Sequence, residues 1–190
     1  MRNLSKRRII STISFSILGL LLIWFIVGYN SLVSSRENTI KQQSNIQTQL
    51  QRRLDLIPNI VNTVKGYTVH ESEIIKSVSD ARSRLAGASN MSEKAEANAE
   101  LSSAFSRLLM IAENYPDLKA NQNFIALSDE LSGTENRITV ARKDYNEAAT
   151  IYNKSVKTFP TVILASMFSF NEVEYFSAGE TVKDVPKVEF

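Results

Sequence analysis

The sequence predicts an all-α protein. An N-terminal transmembrane helix continues into an antiparallel bundle of long helices of the four-helix type, with an aromatic-rich C-terminal tail. Three observations carry this reading. An uncharged run of 19 residues, Ile9 to Val27, follows a short basic tip. Beyond it, apolar residues recur at three-four spacing over long stretches, and no alternating strand pattern rises above noise before residue 160. Proline and glycine number only 4 and 6 in 190 residues, so breaks between helices are few.

The basic tip is residues 1–8, where Arg2, Lys6, Arg7 and Arg8 supply four positive charges before the first acidic residue, Glu37. As a helix, the run that follows spans about 28 Å, close to the hydrocarbon thickness of a bilayer. Trp24 and Tyr29 lie near its far end, where amphipathic aromatics favour the interface. Basic residues before the span outweigh Arg36 and Lys41 after it, which puts residues 1–8 in the cytoplasm and the bulk of the chain outside. A cleaved secretory signal is the competing reading. The run is long for a signal and no Ala-x-Ala site follows, so residues 9–27 are read as an uncleaved signal anchor.

Residues 28–159 read as the bundle. In the first helix Leu32, Val33, Ile40, Ile46, Leu50, Leu54 and Ile57 form one stripe, and Pro58 is expected to stop it. A second helix is expected from about Asn59 to Leu85, with Gly66 inside it at a close-packed position. After the turn at Gly87 a third runs to about Asn114. Asn90 and Glu93 form a capping pair at its start, and Leu101, Phe105, Leu108, Leu109 and Ala112 face inward. Tyr115-Pro116-Asp117 makes the next break.

The fourth helix, near Lys119 to Thr158, is the most regular. Phe124, Leu127, Leu131, Thr134, Ile138, Ala141, Tyr145, Ala148, Tyr152, Ser155 and Phe159 mark a seam that only Thr134 and Ser155 interrupt. If alternate helices leave and approach the membrane, residue 160 ends near its surface. The tail, residues 160–190, then packs near the membrane-proximal end of the bundle, with Phe168 and Phe170 in contact there; the alternative is an interfacial position or a contact with another protein.

Composition narrows the chemistry. Charged residues are 22% and apolar residues 43%, ordinary for a folded chain. Removing the four charges of the tip from the formal +2 leaves 18 basic against 20 acidic residues, a mildly acidic body that does not suit nucleic acid. With no cysteine, disulfides, thiolate metal sites and cysteine nucleophiles are excluded. The single histidine, His70, precedes Glu71 as in the zinc-protease motif HExxH, but the second ligand position is Ile74. Glu71, Glu73 and Asp80 share a helix with Arg82 and Arg84, which reads as a solvated face as readily as an acid–base pair. No cofactor is expected.

Two polar clusters lie beside seam positions: Arg52 and Arg53 with Asp55, and Glu135, Asn136 and Arg137. Their ordinary role is interhelical hydrogen bonds and ion pairs that fix the register of the bundle; the functional alternative is a surface for partner docking.

Several blocks together are familiar. Tyr29-Asn30 with Leu32-Val33 and Arg36 comes first, then QLQRRLDLIPN from Gln49 to Asn59, and Val64-Lys65-Gly66-Tyr67 with His70-Glu71. YPDLKANQNF from Tyr115 follows, then LSGTENRITVARKDYNEA from Leu131, Tyr152-Asn153, Phe159-Pro160 and the closing Pro186-Lys187-Val188-Glu189-Phe190. In this order over nearly the whole length the chain resembles the LemA family of bacterial membrane-anchored proteins. One departure is Met167-Phe168-Ser169-Phe170, where the resemblance leads to a leucine-phenylalanine-glycine-phenylalanine run.

The resemblance implies a short cytoplasmic tip, one membrane helix and an extracytoplasmic helical bundle, with no established catalytic residues to carry over. It also implies an association with membrane organisation, including magnetosome formation, and with neighbours of membrane proteases. The expected function is therefore a non-enzymatic scaffold of the bacterial cell membrane. Its partners would be the lipid bilayer and membrane proteins or copies of itself. Membrane shaping through the apolar tail, or a ligand sensor or enzyme using an interhelical cavity, are the alternatives.

Overall fold

The computed structural model describes residues 2–68 and 71–177, with side chains from Thr12 onward. His70, Phe190 and the closing block 186–190 therefore lie outside the described residues, as do the side chains of the basic tip. Every regular element among the described residues is helical. In chain order these are α1 (Arg2–Lys65), α2 (Ser72–Gly87), α3 (Met91–Ala112), α4 (Pro116–Lys119), α5 (Gln122–Lys157) and α6 (Thr161–Met167).

Two boundaries differ from the sequence reading. Helix α1 does not stop at Pro58 but runs on to Lys65, with Pro58 inside it. Proline lacks the N–H that would reach back four residues, so the carbonyl of Leu54 loses its helical donor. Arg82 of α2 supplies the replacement, its Nε donating to that carbonyl at 2.9 Å. The break falls instead after Lys65. Gly66, expected inside a helix, closes it with a turn in which the N–H groups of Gly66 and Tyr67 donate to the carbonyls of Thr63 and Val64.

Elsewhere the local signals behave as their chemistry dictates. The Asn90 side chain accepts from the N–H of Glu93 at 2.8 Å, capping α3. The Glu93 carboxylate reaches back to the N–H and hydroxyl of Ser89, both at 2.8 Å. These bonds hold its pKa below the usual carboxylate value. Pro116 starts the single turn of α4.

The helices fall into two compact units, to both of which α1 and α5 contribute. The larger, residues 41–147 with 174–177, is the bundle of the C-terminal part of α1 with α2, α3 and most of α5. Its core takes Ile46, Leu50, Leu54, Ile57, Ile60 and Val64 from α1 and Val78, Ala81 and Leu85 from α2. Leu101, Phe105 and Leu108 come from α3, and Leu131, Ile138 and Tyr145 from α5. The polar seam residue Thr134 is fully buried and self-satisfied, its hydroxyl donating to the Glu130 carbonyl at 2.8 Å.

The smaller unit, residues 2–40 with 148–173, gathers Leu32, Tyr152, Val156, Leu164, Ala165 and Phe170, with Trp24, Phe25, Tyr29, Val33 and Val173 packed around them. Here Thr39 is buried where the stripe predicted Ile40, and its hydroxyl faces the carbonyls of Ser35 and Ala148. Val156 takes the seam position expected of Ser155, and Phe159 is 76% exposed. In contrast to both cores, the apolar run of α1 up to Val27 lies open, with Phe15 72% and Leu20 68% exposed. That is the condition of a helix whose solvent is lipid.

Candidate functional site

The two predicted clusters meet in the larger unit. Arg52 and Arg53 are adjacent on α1, so their side chains leave the helix about 100° apart. Arg53 is only 2% exposed. Its Nη1 donates to Asn98 Oδ1 at 2.6 Å, to Ser102 Oγ at 3.0 Å and to the Glu135 carboxylate. One guanidinium thus ties α1 to α3 and α5. Burial lowers its pKa and the nearby Glu135 charge opposes that shift; an arginine so held stays charged at physiological pH.

Arg52 turns outward and pairs with Glu130 at 2.8 Å, and the same carboxylate oxygen receives Arg137 Nη2 at 2.6 Å. Arg137 also donates to Thr134 Oγ1 at 3.2 Å. Both arginines are about half exposed, so these pairs are screened by water and salt. Asn136 and Arg137 line an open groove of about 420 Å³ together with Asn45, Thr48, Val140 and Asp144. Val140 is 59% exposed there. Asp55 stands apart from both clusters: it accepts from Gln51 Nε2 at 2.8 Å on the exposed side of α1.

The carboxylates weighed for acid–base chemistry do not converge. Glu71 accepts from the Tyr115 hydroxyl at 3.1 Å, while Glu73 and Asp80 lie in a groove on α2 and α3 with Lys76, Arg84 and Arg107. Arg84 there makes a two-pronged pair with Glu100, both contacts at 2.9 Å. Among the described residues no group of three or more His, Cys, Asp or Glu side chains is gathered as metal ligands would be.

In the smaller unit Phe170 is buried and Phe168 is 43% exposed. The Tyr29 ring lies 4.9 Å from that of Phe168 and 6.0 Å from that of Phe170, both edge-on, and Phe25 stands 5.8 Å from Phe168. Arg36 sits 5.9 Å above the Phe170 ring. Helix α6 approaches α1 closely at Gly28, where a Cβ would lie 2.7 Å from Leu164 Cδ1. The aromatic pair thus docks beside the end of the apolar run of α1.

Several residues that position these groups escaped the sequence reading. Asn98 occupies a buried place on α3 three residues before the seam residue Leu101, a polar interruption that signals a hydrogen-bonded node. Asn153 holds the chain after α6 with both amide groups: its Nδ2 donates to the Val173 carbonyl and its Oδ1 accepts the Val173 N–H, each at 2.9 Å. In the larger unit Asn146 does the same for Phe176, at 3.1 and 2.8 Å. Beside it Tyr145 donates to the Glu174 carbonyl at 2.6 Å. Two asparagines seven residues apart on one helix were the available signal.

The sequence profile of the LemA family matches residues 42–190. Protein LemA of Metamycoplasma hominis is 29% identical over 171 residues, covering 88% of this chain and 78% of that protein. Magnetosome protein MamQ 2 of Paramagnetospirillum magneticum is 26% identical over 192 residues, covering 86% and 71%. MamQ of Magnetospirillum gryphiswaldense is 25% identical over the same shares. A helical bundle, one exposed apolar N-terminal helix and a profile match over most of the length have one reading: the chain is a membrane protein that belongs to the LemA family.

Proposed function

We propose that the protein is a non-enzymatic scaffold, a single-pass anchor protein of the bacterial cell membrane that presents its bundle to membrane-protein partners or to copies of itself. Residues 1–8 form the cytoplasmic tip, 9–27 the anchor, 28–159 the extracytoplasmic bundle and 160–190 a tail returning to the membrane-proximal end. An uncleaved anchor is supported by the packing of Trp24 and Phe25 against the buried cluster of this unit, of Phe25 against Phe168 and of Gly28 against Leu164, since removing them would strip that cluster of its cover. The relatives are named for the magnetosome or for the family rather than for a reaction.

The observation that carries the docking role is the split within the predicted clusters. Arg53 and Glu135 are spent on interhelical register, whereas Asn136 and Arg137 line an open groove with the exposed Val140. Polar groups around an exposed apolar residue suit a protein partner.

Two arginine reversals separate the roles. Arg53→Glu buries a second carboxylate beside Glu135 and is expected to destabilise the bundle by about 3 kcal/mol or more. Arg52→Glu removes only an exposed pair and is expected to cost under about 1 kcal/mol. Photo-crosslinking from position 140 in native membranes should give a defined protein adduct, and Arg52→Glu should diminish it with no more than a small shift of the melting curve, far less than that of Arg53→Glu. A position-140 probe that captures no protein in native membranes defeats the docking reading.

A further inference from the structure

The stretch from Thr158 to Asn171 contains no charged residue. The charges that flank it, Lys157 and Glu172, pair with each other at 2.6 Å and close its base. Within this stretch Leu164, Ala165 and Phe170 turn inward. Four large apolar side chains do not: Phe159 is 76% exposed, Met167 63%, Ile163 48% and Phe168 43%. A water-facing segment of this length would ordinarily carry charge on its open side, and this one carries none.

Its place on α1 identifies what covers it. Phe168 stacks edge-on to Phe25 and Tyr29, and Leu164 fills the space above Gly28. Those contacts set α6 level with Trp24 through Tyr29, the end of the exposed apolar run and the depth at which aromatic residues meet the lipid headgroups. The open apolar surface of α1 therefore continues onto α6 within one unit, with no charged residue of α6 in between.

We propose that the open side of α6 and its flanking residues, formed by Phe159, Ile163, Met167 and Phe168, is a lipid-binding surface that enters the headgroup–acyl boundary beside the anchor. The chain then contacts the same leaflet twice, by a helix that crosses it and by a short wedge some 130 residues later in sequence that lies in it. This rests on α1 being the membrane anchor, and it adds a ligand, the bilayer surface, to the scaffold reading.

The absence of cysteine makes single-site labelling direct. Met167→Cys and Ile163→Cys, each carrying an environment-sensitive nitrobenzoxadiazole probe, would be studied in the full chain. Single copies would be held in nanodiscs of phosphatidylcholine and phosphatidylglycerol, with Leu18→Cys, at the middle of the span, reporting the anchor through lipids spin-labelled deep in the acyl chain. The expected result is loss of most of the emission at 163 and 167 to lipids spin-labelled high on the acyl chain, with little loss to an aqueous nickel chelate. Quenching by nickel but not by lipid means that α6 faces water and overturns the proposal. Protection from both quenchers means that protein covers α6 and overturns it equally. The Leu18 probe separates the two readings: if it is quenched by lipid while 163 and 167 are not, the wedge fails and the anchor stands, and if it too escapes lipid quenching, the anchor itself has failed.

Discussion

Arg52 and Arg53 carry the same side chain one position apart, yet their environments differ by nearly all the water around them. Arg53 spends its charge inside, on Asn98, Ser102 and Glu135, and Arg52 spends its charge on a wet pair with Glu130. Sequence reasoning placed both beside the seam but could not choose between them, because one residue of helical phase error exchanges inside for outside. Ser169 is the second instructive residue. It holds a φ of 56°, the left-handed region that favours glycine. The chain needs that conformation to end α6, since it lets the N–H of Phe170 donate to the Ala165 carbonyl at 2.9 Å in a Schellman closure. The glycine that the family resemblance led one to expect is thus explained by the backbone. Ser169→Gly is expected to stabilise the protein by about 0.5–1 kcal/mol, and Ser169→Val to destabilise it. Chemical denaturation of the detergent-solubilised chain checks this, and equal stability of all three would remove the strain argument.

At the scale of the element, the seams of α3 and α5 were legible because 3.6-residue periodicity is a property of the local chain. The end of α1 was not. Pro58 is a sound stop signal in isolation, and what cancels it is Arg82, which reaches the Leu54 carbonyl from another helix. This gives a coupled prediction. Arg82→Met leaves a carbonyl without its donor and is expected to cost about 1–2 kcal/mol. In a Pro58→Ala background the restored N–H serves Leu54, so the same change should cost less than half as much. A double-mutant cycle on melting free energies measures the difference, and identical costs in both backgrounds would show that Arg82 does not compensate for the proline. The drift of the α5 stripe from Ser155 and Phe159 to Val156 has a simpler cause. A strict three-four pattern averages 3.5 residues per turn and falls behind a straight helix over 36 residues.

Over the whole molecule, the formal +2 divides into a basic tip of four charges and a body with 18 basic and 20 acidic residues, so titration of the body is governed by individual groups. Each unit buries one tyrosine whose pKa is raised. Tyr145 is shifted by burial and then by the Glu174 charge, and Tyr152 by burial against a partial opposing pull from Arg36. A raised phenol pKa means that the neutral form is favoured on folding. That stability is fully present below about pH 10 and is lost as pH rises through the raised folded values. The melting temperature is therefore expected to fall above about pH 10, together with late tyrosinate absorbance. A melting temperature level through pH 11 would contradict it. The sequence alone determined that the chain is helical, where its apolar run and most seams lie, and that thiol and histidine-rich sites are excluded. All of these follow from local periodicity and residue type. Tertiary structure decided which arginine is buried, that α1 passes through Pro58, and that α6 and the residue after it dock on Phe25, Gly28 and Tyr29 with an apolar side left open. Each depends on a group brought from elsewhere in the chain to satisfy or cover another, and no local pattern records that meeting.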